Sequence, residues 1–416
     1  MTTDTPSPTA NRAPDRWPVD RRVFALAALM VCLLHGPSFV AEHLEGDEVT
    51  YLVLAQEMTW TLQHYTTAEH PATRDYPYAM YRDAIFGHPP LLPLILKVGF
   101  ALGHPERLGL LAELAAHLAA LGLVAWLARH LPALRQHATS ALLLVAACPF
   151  LGFSTTRLHT DGLLAVLAAL ALAASYLALR RPTVLGCIVM AVTVLAAMSV
   201  RYTGILVLPI ALAAATVGIL QARRARVAMP RAATVAALLL LALAIGGGLI
   251  HFIRVWQQWG TWRAPYDADL DAMNDMLTRI NARPRSLAWV YQLWIAPVIA
   301  IVALPVYWRT LWHMLRRQRV EALILLGGPA WFLFAAWFTP LQLRYYAPAY
   351  PLIYLAAAIL PTYAGHAQAV AIRWLCILTV VSGGLTSVCM TWVQPISGEI
   401  VPWPFIVIPG FFAYYN

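Results

Sequence analysis

The stretch RLGLLAELAAHLAALGLVAWLARHL (107–131) decides what kind of fold this sequence makes. From 107 to 128 it is apolar and almost free of charge, close to the ~20 residues a helix needs to cross a hydrocarbon layer. No strand alternation runs through it. Backbone polar groups cannot stay unpaired in lipid, so a helix is the default. Working outward, comparable runs fall at 23–40, 138–154, 161–179, 184–200, 204–220, 232–253, 287–308, 321–338, 344–362 and 372–393. Together they predict about eleven spans. The expected fold class is therefore all-α, a polytopic integral membrane helical bundle.

Composition agrees. The 416 residues are 60% hydrophobic and 12% charged, about half the charge of a soluble domain. A formal charge of +9 would suggest nucleic acid in a soluble chain. Here the arginines sit in short clusters between apolar runs, the signature of cytoplasmic loops, and no nucleic-acid partner is expected. The clusters Arg12–Arg22, Arg180–Arg181, Arg223–Arg231 and Arg309–Arg319, with Arg129, Arg135 and Arg373, hold 17 of the 29 basic residues. Alternation of spans puts them all on one side, so the N-terminus is expected inside.

Residues 1–20 are polar and Pro-rich, and a disordered cytoplasmic N-terminus is expected there. No cleavage site follows the first apolar run, which reads as an uncleaved span. Residues 21–393 read as one transmembrane domain and 394–416 as a C-terminal tail. The five cysteines, Cys32, Cys148, Cys187, Cys376 and Cys389, all lie in apolar runs without a CxxC pair. That pattern argues against a disulfide framework or thiolate metal site.

Two long loops face outside, 41–106 and 254–286. In the first, Glu48–His64 has the spacing of an amphipathic helix, with Tyr51, Ala55, Met58 and Leu62 on one face. The apolar run Leu91–Leu102 is too short to span and suits an interfacial or re-entrant helix. There is no Walker, Rossmann or EF-hand pattern.

Polar residues that carry chemistry gather at the outer ends of the spans. Asp47 and Glu48 follow the first span. Either can cap the helix that begins there; a carboxylate at this place can also take a proton from a hydroxyl or hold a divalent ion. His88-Pro89-Pro90 makes an extended turn, with His88 a candidate contact for phosphate or metal. In Arg157-Leu158-His159-Thr160-Asp161, Asp161 is a helix cap or, with His159, part of an ion or substrate site. Arg201-Tyr202 and Arg344-Tyr345 put arginines at the outer interface. These are interface anchors or bidentate partners of a phosphate.

These pieces, in this order, resemble the membrane-embedded GT-C glycosyltransferases. The resemblance is to the bacterial group of dolichyl-phosphate-mannose protein mannosyltransferases and aminoarabinose transferases (glycosyltransferase family 39-like). It is carried by GDEVTYLVLAQEM (46–58), HPPLLPLILKVGFALG (88–103), the 107–131 stretch, TDGLLAVLAALALA (160–173), SVRYTGILVLPIALA (199–213) and LRYYAPAYPLIYLAAA (343–358), over roughly residues 20–360.

The resemblance implies a sugar donor on a polyprenyl phosphate, inversion at the anomeric carbon, and an active site facing the periplasm of a bacterial inner membrane. The acceptor would be a lipid, glycan or protein. On this basis Asp47 matches the first-loop catalytic aspartate, with Glu48 beside it, and Asp161 matches a second-loop acid. Arg201 falls where a basic residue meets the lipid phosphate; Tyr51, His88, Tyr202, Arg344 and Tyr345 are candidate substrate contacts. His88 stands where the family often has a lysine. No cofactor motif is present, and a divalent metal is a candidate only at His159 and Asp161. The rival class is a membrane transporter, which would put charges mid-span and show inverted repeats.

Overall fold

The computed structural model describes residues 19–40, 47–68, 70–74, 88–226, 230–260, 297–338, 343–388 and 391–392. Among them there is no strand. The longer helices are α1 (Arg21–His35), α2 (Asp47–Glu57), α3 (Leu91–Ala101), α4 (Pro105–His130), α5 (Ala138–Ala146), α6 (Pro149–Thr155), α7 (Thr160–Arg180), α8 (Val184–Met198), α9 (Val207–Arg224), α10 (Arg231–Trp259), α11 (Pro305–Arg316), α12 (Glu321–Phe338), α13 (Tyr350–Ile359) and α14 (His366–Val388), with a single helical turn, Pro132–Arg135, between α4 and α5. Short 3-10 turns join several of them.

The deciding stretch forms α4, 26 residues long, or about 39 Å at 1.5 Å per residue. Pro105 starts it, Glu106 lies in its first turn, and Arg129 and His130 close it. That order suits both the helix geometry and its dipole. The centre of the bundle is α7, apolar on every face and buried along nearly its whole length. It packs against α4, α6, α8, α9, α13 and the 3-10 turn Leu343–Ala349. Small residues allow the approach: a Cβ at Gly218 on α9 would stand 2.5 Å from the Tyr176 carbonyl oxygen of α7. Close backbone contact through small residues is how helices associate where lipid removes the hydrophobic drive.

The outer helices expose their apolar side chains instead. Leu243 on α10 is 70% exposed and Val184 on α8 is 80% exposed, as a lipid-facing surface requires. The chain is a multi-pass membrane protein. Six helical segments are long and apolar enough to cross: Arg21–Phe39, Pro105–His130, Thr160–Arg180, Tyr202–Arg224, Arg231–Gln257 and His366–Val388. Val184–Met198, Glu321–Ala335 and Leu91–Ala101 are shorter apolar helices.

Several expected spans differ in detail. The run 138–154 is two helices, α5 and α6, broken at Cys148–Pro149; proline has no N–H to continue a helix and starts α6 instead. The part of 287–308 within the described residues is a 3-10 segment, Pro297–Ala303, followed by α11. That helix runs through much of the basic segment 309–319 expected as a loop. The run 344–362 is a 3-10 turn, the ten-residue α13 and a second 3-10 turn.

The expected helix Glu48–His64 stops at Glu57. Beyond it the Thr59 hydroxyl accepts from the Gln63 amide at 2.9 Å, and Leu62 and His64 take positive φ. A threonine bonding its local backbone competes with helix. The loop expected to begin at 254 begins later, because α10 continues to Trp259; residues 261–286 lie outside the described residues.

Candidate active site

Four separate segments meet at one end of α7. Pro90 precedes α3, and the Leu91 amide donates to the Ser199 carbonyl at 2.9 Å, tying the His88-Pro89-Pro90 turn to the end of α8. From α2, the buried Glu48 reaches across to the segment before α7, where its Oε1 accepts from the Leu158 amide at 3.1 Å. Tyr51, one turn further along α2, bonds Thr160 Oγ1 at 3.3 Å and packs edge-on against the His88 ring, 4.8 Å between centroids.

Thr160 and Asp161 open α7, with His159 at the N-cap position in extended backbone. Arg201 leaves the end of α8 and donates from Nη1 to Asp161 Oδ2 at 2.6 Å and to Thr160 Oγ1 at 3.2 Å. Both partners are withdrawn from solvent: 14% of the Arg201 side chain and 1% of that of Asp161 are exposed. Such a charge-assisted bond is short and strong. Tyr202, next to it, stacks at a tilt on His251 of α10 at 5.8 Å.

The structure thus brings together Glu48, Tyr51, His88, Asp161, Arg201 and Tyr202, with His159 buried at the start of α7. Asp47 is the first residue of α2; its side chain, and those of Arg344 and Tyr345, lie outside the described residues. Their neighbour Tyr346 is buried against Phe332 at 4.8 Å. Among the described residues, no three His, Cys, Asp or Glu side chains group as metal ligands, and the carboxylate of Asp161 is engaged by a guanidinium.

Residues not singled out from sequence complete the setting. Tyr65 donates to the His88 carbonyl at 2.6 Å, fixing the turn. Burial first, and the neighbouring Tyr51 second, raise its pKa well above the ordinary phenol value, so it remains a donor. Lys97 of α3 donates to the Ala55 carbonyl at 3.2 Å.

Deeper in the bundle, Glu113 and His117 lie one turn apart on the buried face of α4. The Thr155 hydroxyl is 3.1 Å from His35 Nε2 and 3.3 Å from His117 Nδ1. Neither Glu113 oxygen has a hydrogen-bond partner among the described residues. A Cβ at Gly162 would stand 3.0 Å from its Oε2, which places Glu113 under the first turn of α7. The signal for this group was present in the sequence as ionisable residues inside apolar runs.

Residues 87–245 match the family model of dolichyl-phosphate-mannose-protein mannosyltransferase. That range holds His88, Asp161, Arg201 and Tyr202. Among solved structures the chain is similar to ArnT from Cupriavidus metallidurans bound to undecaprenyl phosphate, with a TM-score of 0.51 at 15% identity. The likeness covers 88% of this chain and 64% of that one, so this chain spans under two thirds of the length of ArnT. No curated protein matches the sequence. Residues 87–245 thus carry a signature similar to that family's, and the whole chain has an all-α fold similar to that of ArnT.

Proposed function

We propose that this protein is an inverting glycosyltransferase that moves a sugar from a polyprenyl-phosphate donor to a hydroxyl of a lipid, glycan or protein acceptor. The observation that carries the reading is the convergence of Asp161 and Arg201, with Glu48, Tyr51 and His88, at one end of the central helix. The family match over 87–245 and the likeness to a structure bound to undecaprenyl phosphate support it.

In this reading a carboxylate at the start of α2 accepts the proton of the acceptor hydroxyl as its oxygen attacks the anomeric carbon. The bond from that carbon to the phosphate oxygen breaks, and the polyprenyl phosphate leaves. Asp47 is the proposed base, with Glu48 bracing the segment before α7. A guanidinium carries five donors in a planar fork, so Arg201 suits both Asp161 and the developing charge on a phosphate. Fixed donors in a poorly solvated cleft stabilise such charge far better than water does. Arg344 is a second proposed phosphate partner. Apolar grooves between the helices would take the prenyl tail, each buried CH₂ contributing ~0.8 kcal/mol. The arginine clusters support an orientation with this site on the periplasmic face of a bacterial inner membrane.

Asp47→Asn is the direct test. It keeps size and capping ability but removes the proton acceptor, so turnover should fall by roughly 10²–10⁴ with the melting temperature unchanged. Full activity would remove Asp47 from the mechanism and make Glu48 the next base to test.

A second reading, transport of a lipid-linked or small solute, is favoured by the buried Glu113, His117 and His35 inside spans. Flux of a lipid-linked sugar across vesicles holding the purified protein, with no sugar transferred, would favour it.

A further inference from the structure

At the far end of α7 from Asp161 lies a groove that has no part in the site above. It is lined by α4, α7 and α8 and encloses about 710 Å³. The 21 residues of α7 put its two ends about 30 Å apart, the thickness of a hydrocarbon layer. The groove therefore belongs to the leaflet opposite the site.

Small side chains leave the space. Ala119 and Gly122 of α4, Ala174 and Ala178 of α7, and Gly186 of α8 all line it. Nothing stands within 4 Å of where a Cβ on Gly122 would be. At its polar end are Arg129 and His130, which close α4, and Arg180 and Arg181, which close α7. No lining residue is acidic.

Charge crowds at this spot. Arg129, Arg135, Arg180 and Arg181 all act electrostatically on His130. Arg180 donates from Nη1 to the Tyr176 hydroxyl at 2.8 Å, while its buried Nε has no hydrogen-bond partner among the described residues. Trp126 packs edge-on against His130 at 5.9 Å, an aromatic at interface depth. Helix dipoles account for a cation at each helix end. They do not account for a cavity that joins the cations to an apolar floor.

We propose that this groove binds an anionic phospholipid, its phosphate against Arg129 and Arg181 and an acyl chain along the floor beside Gly122. The cations call for an anion, and the contiguous apolar walls call for one that carries chains. Basic pockets between helices recognise lipid head groups in this way.

The test uses the purified full-length protein, delipidated in neutral detergent, with phosphatidylglycerol, phosphatidylcholine or inorganic phosphate added. Native mass spectrometry measures binding, and thermal unfolding measures its effect. Phosphatidylglycerol should bind and raise the melting temperature; phosphatidylcholine and inorganic phosphate should do neither. Replacing both arginines (Arg129→Gln with Arg181→Gln) should weaken phosphatidylglycerol about 30-fold, from about fivefold per interfacial arginine. Gly122→Phe, which fills the floor and leaves every charge, should weaken it without lowering the lipid-free melting temperature. That variant decides the matter if the double variant does not fold. Parent-like phosphatidylglycerol binding by Gly122→Phe would overturn the proposal. So would equal stabilisation by inorganic phosphate, which would mark a site for free anions.

Discussion

The 2.6 Å contact between Arg201 and Asp161 joins the start of α7 to the turn that follows α8. It has both a structural and a chemical consequence, and substitutions separate them. Asp161→Asn removes the carboxylate charge 2.6 Å from a mostly buried guanidinium, which should cost about 3–5 kcal/mol of stability and read as a lower melting temperature. Arg201→Ala should carry a similar structural cost. It should also weaken binding of a polyprenyl-phosphate donor by about 1.5–3 kcal/mol, the range for hydrogen bonds to charged groups. Arg201→Lys keeps the charge and loses the fork, so it should restore donor binding only in part. Unchanged donor affinity in Arg201→Ala, measured on the folded fraction, would return Arg201 to a purely structural role.

At this scale the sequence was informative about residue types and silent about pairs. Asp161 and Arg201 were each legible as polar residues at span ends, but nothing in their spacing says that they touch. Tyr65 was not legible at all, since its role rests on a bond to the His88 carbonyl that only the folded loop creates. Glu113 and His117 are visible inside an apolar run, but the run as a whole reads as a span.

Among the elements, the long helices were the most legible, because α4, α7, α10 and α14 each carry one unbroken apolar run of spanning length. The misreadings have local causes. Pro149 splits 138–154 into α5 and α6, and the hydroxyl of Thr59 ends the α2 region early. One proline leaves the run 138–154 apolar overall, and a hydroxyl bonding its local backbone leaves the amphipathic spacing of 48–64 intact, so neither break shows in the pattern of apolar residues. Helix contact depends on smaller signals still. Gly218→Ala should lower stability by about 1–3 kcal/mol, since its Cβ would press on the Tyr176 carbonyl of α7 at 2.5 Å. Gly246→Ala on α10 meets nothing within 4 Å and serves as the control. Equal melting temperatures for the two variants would contradict the close packing of α7 on α9.

For the whole molecule, the expected orientation and the proposed chemistry stand or fall by different measurements. Single-cysteine variants at His70 and Gln318, in a cysteine-free background, should label from opposite sides of the membrane. His70 should react in intact spheroplasts, and Gln318 only after the inner leaflet is breached. Reversal of that pattern would turn the bundle over. The central claim, transfer of a sugar from a polyprenyl phosphate, is tested most directly by mass spectrometry of envelope lipids and glycans from cells with and without this protein. Cells lacking it, and cells carrying only Asp47→Asn, should lose one sugar modification and accumulate the sugar-charged polyprenyl phosphate that supplies it. Identical glycan profiles and an unchanged polyprenyl-phosphate pool in all three strains would contradict the claim.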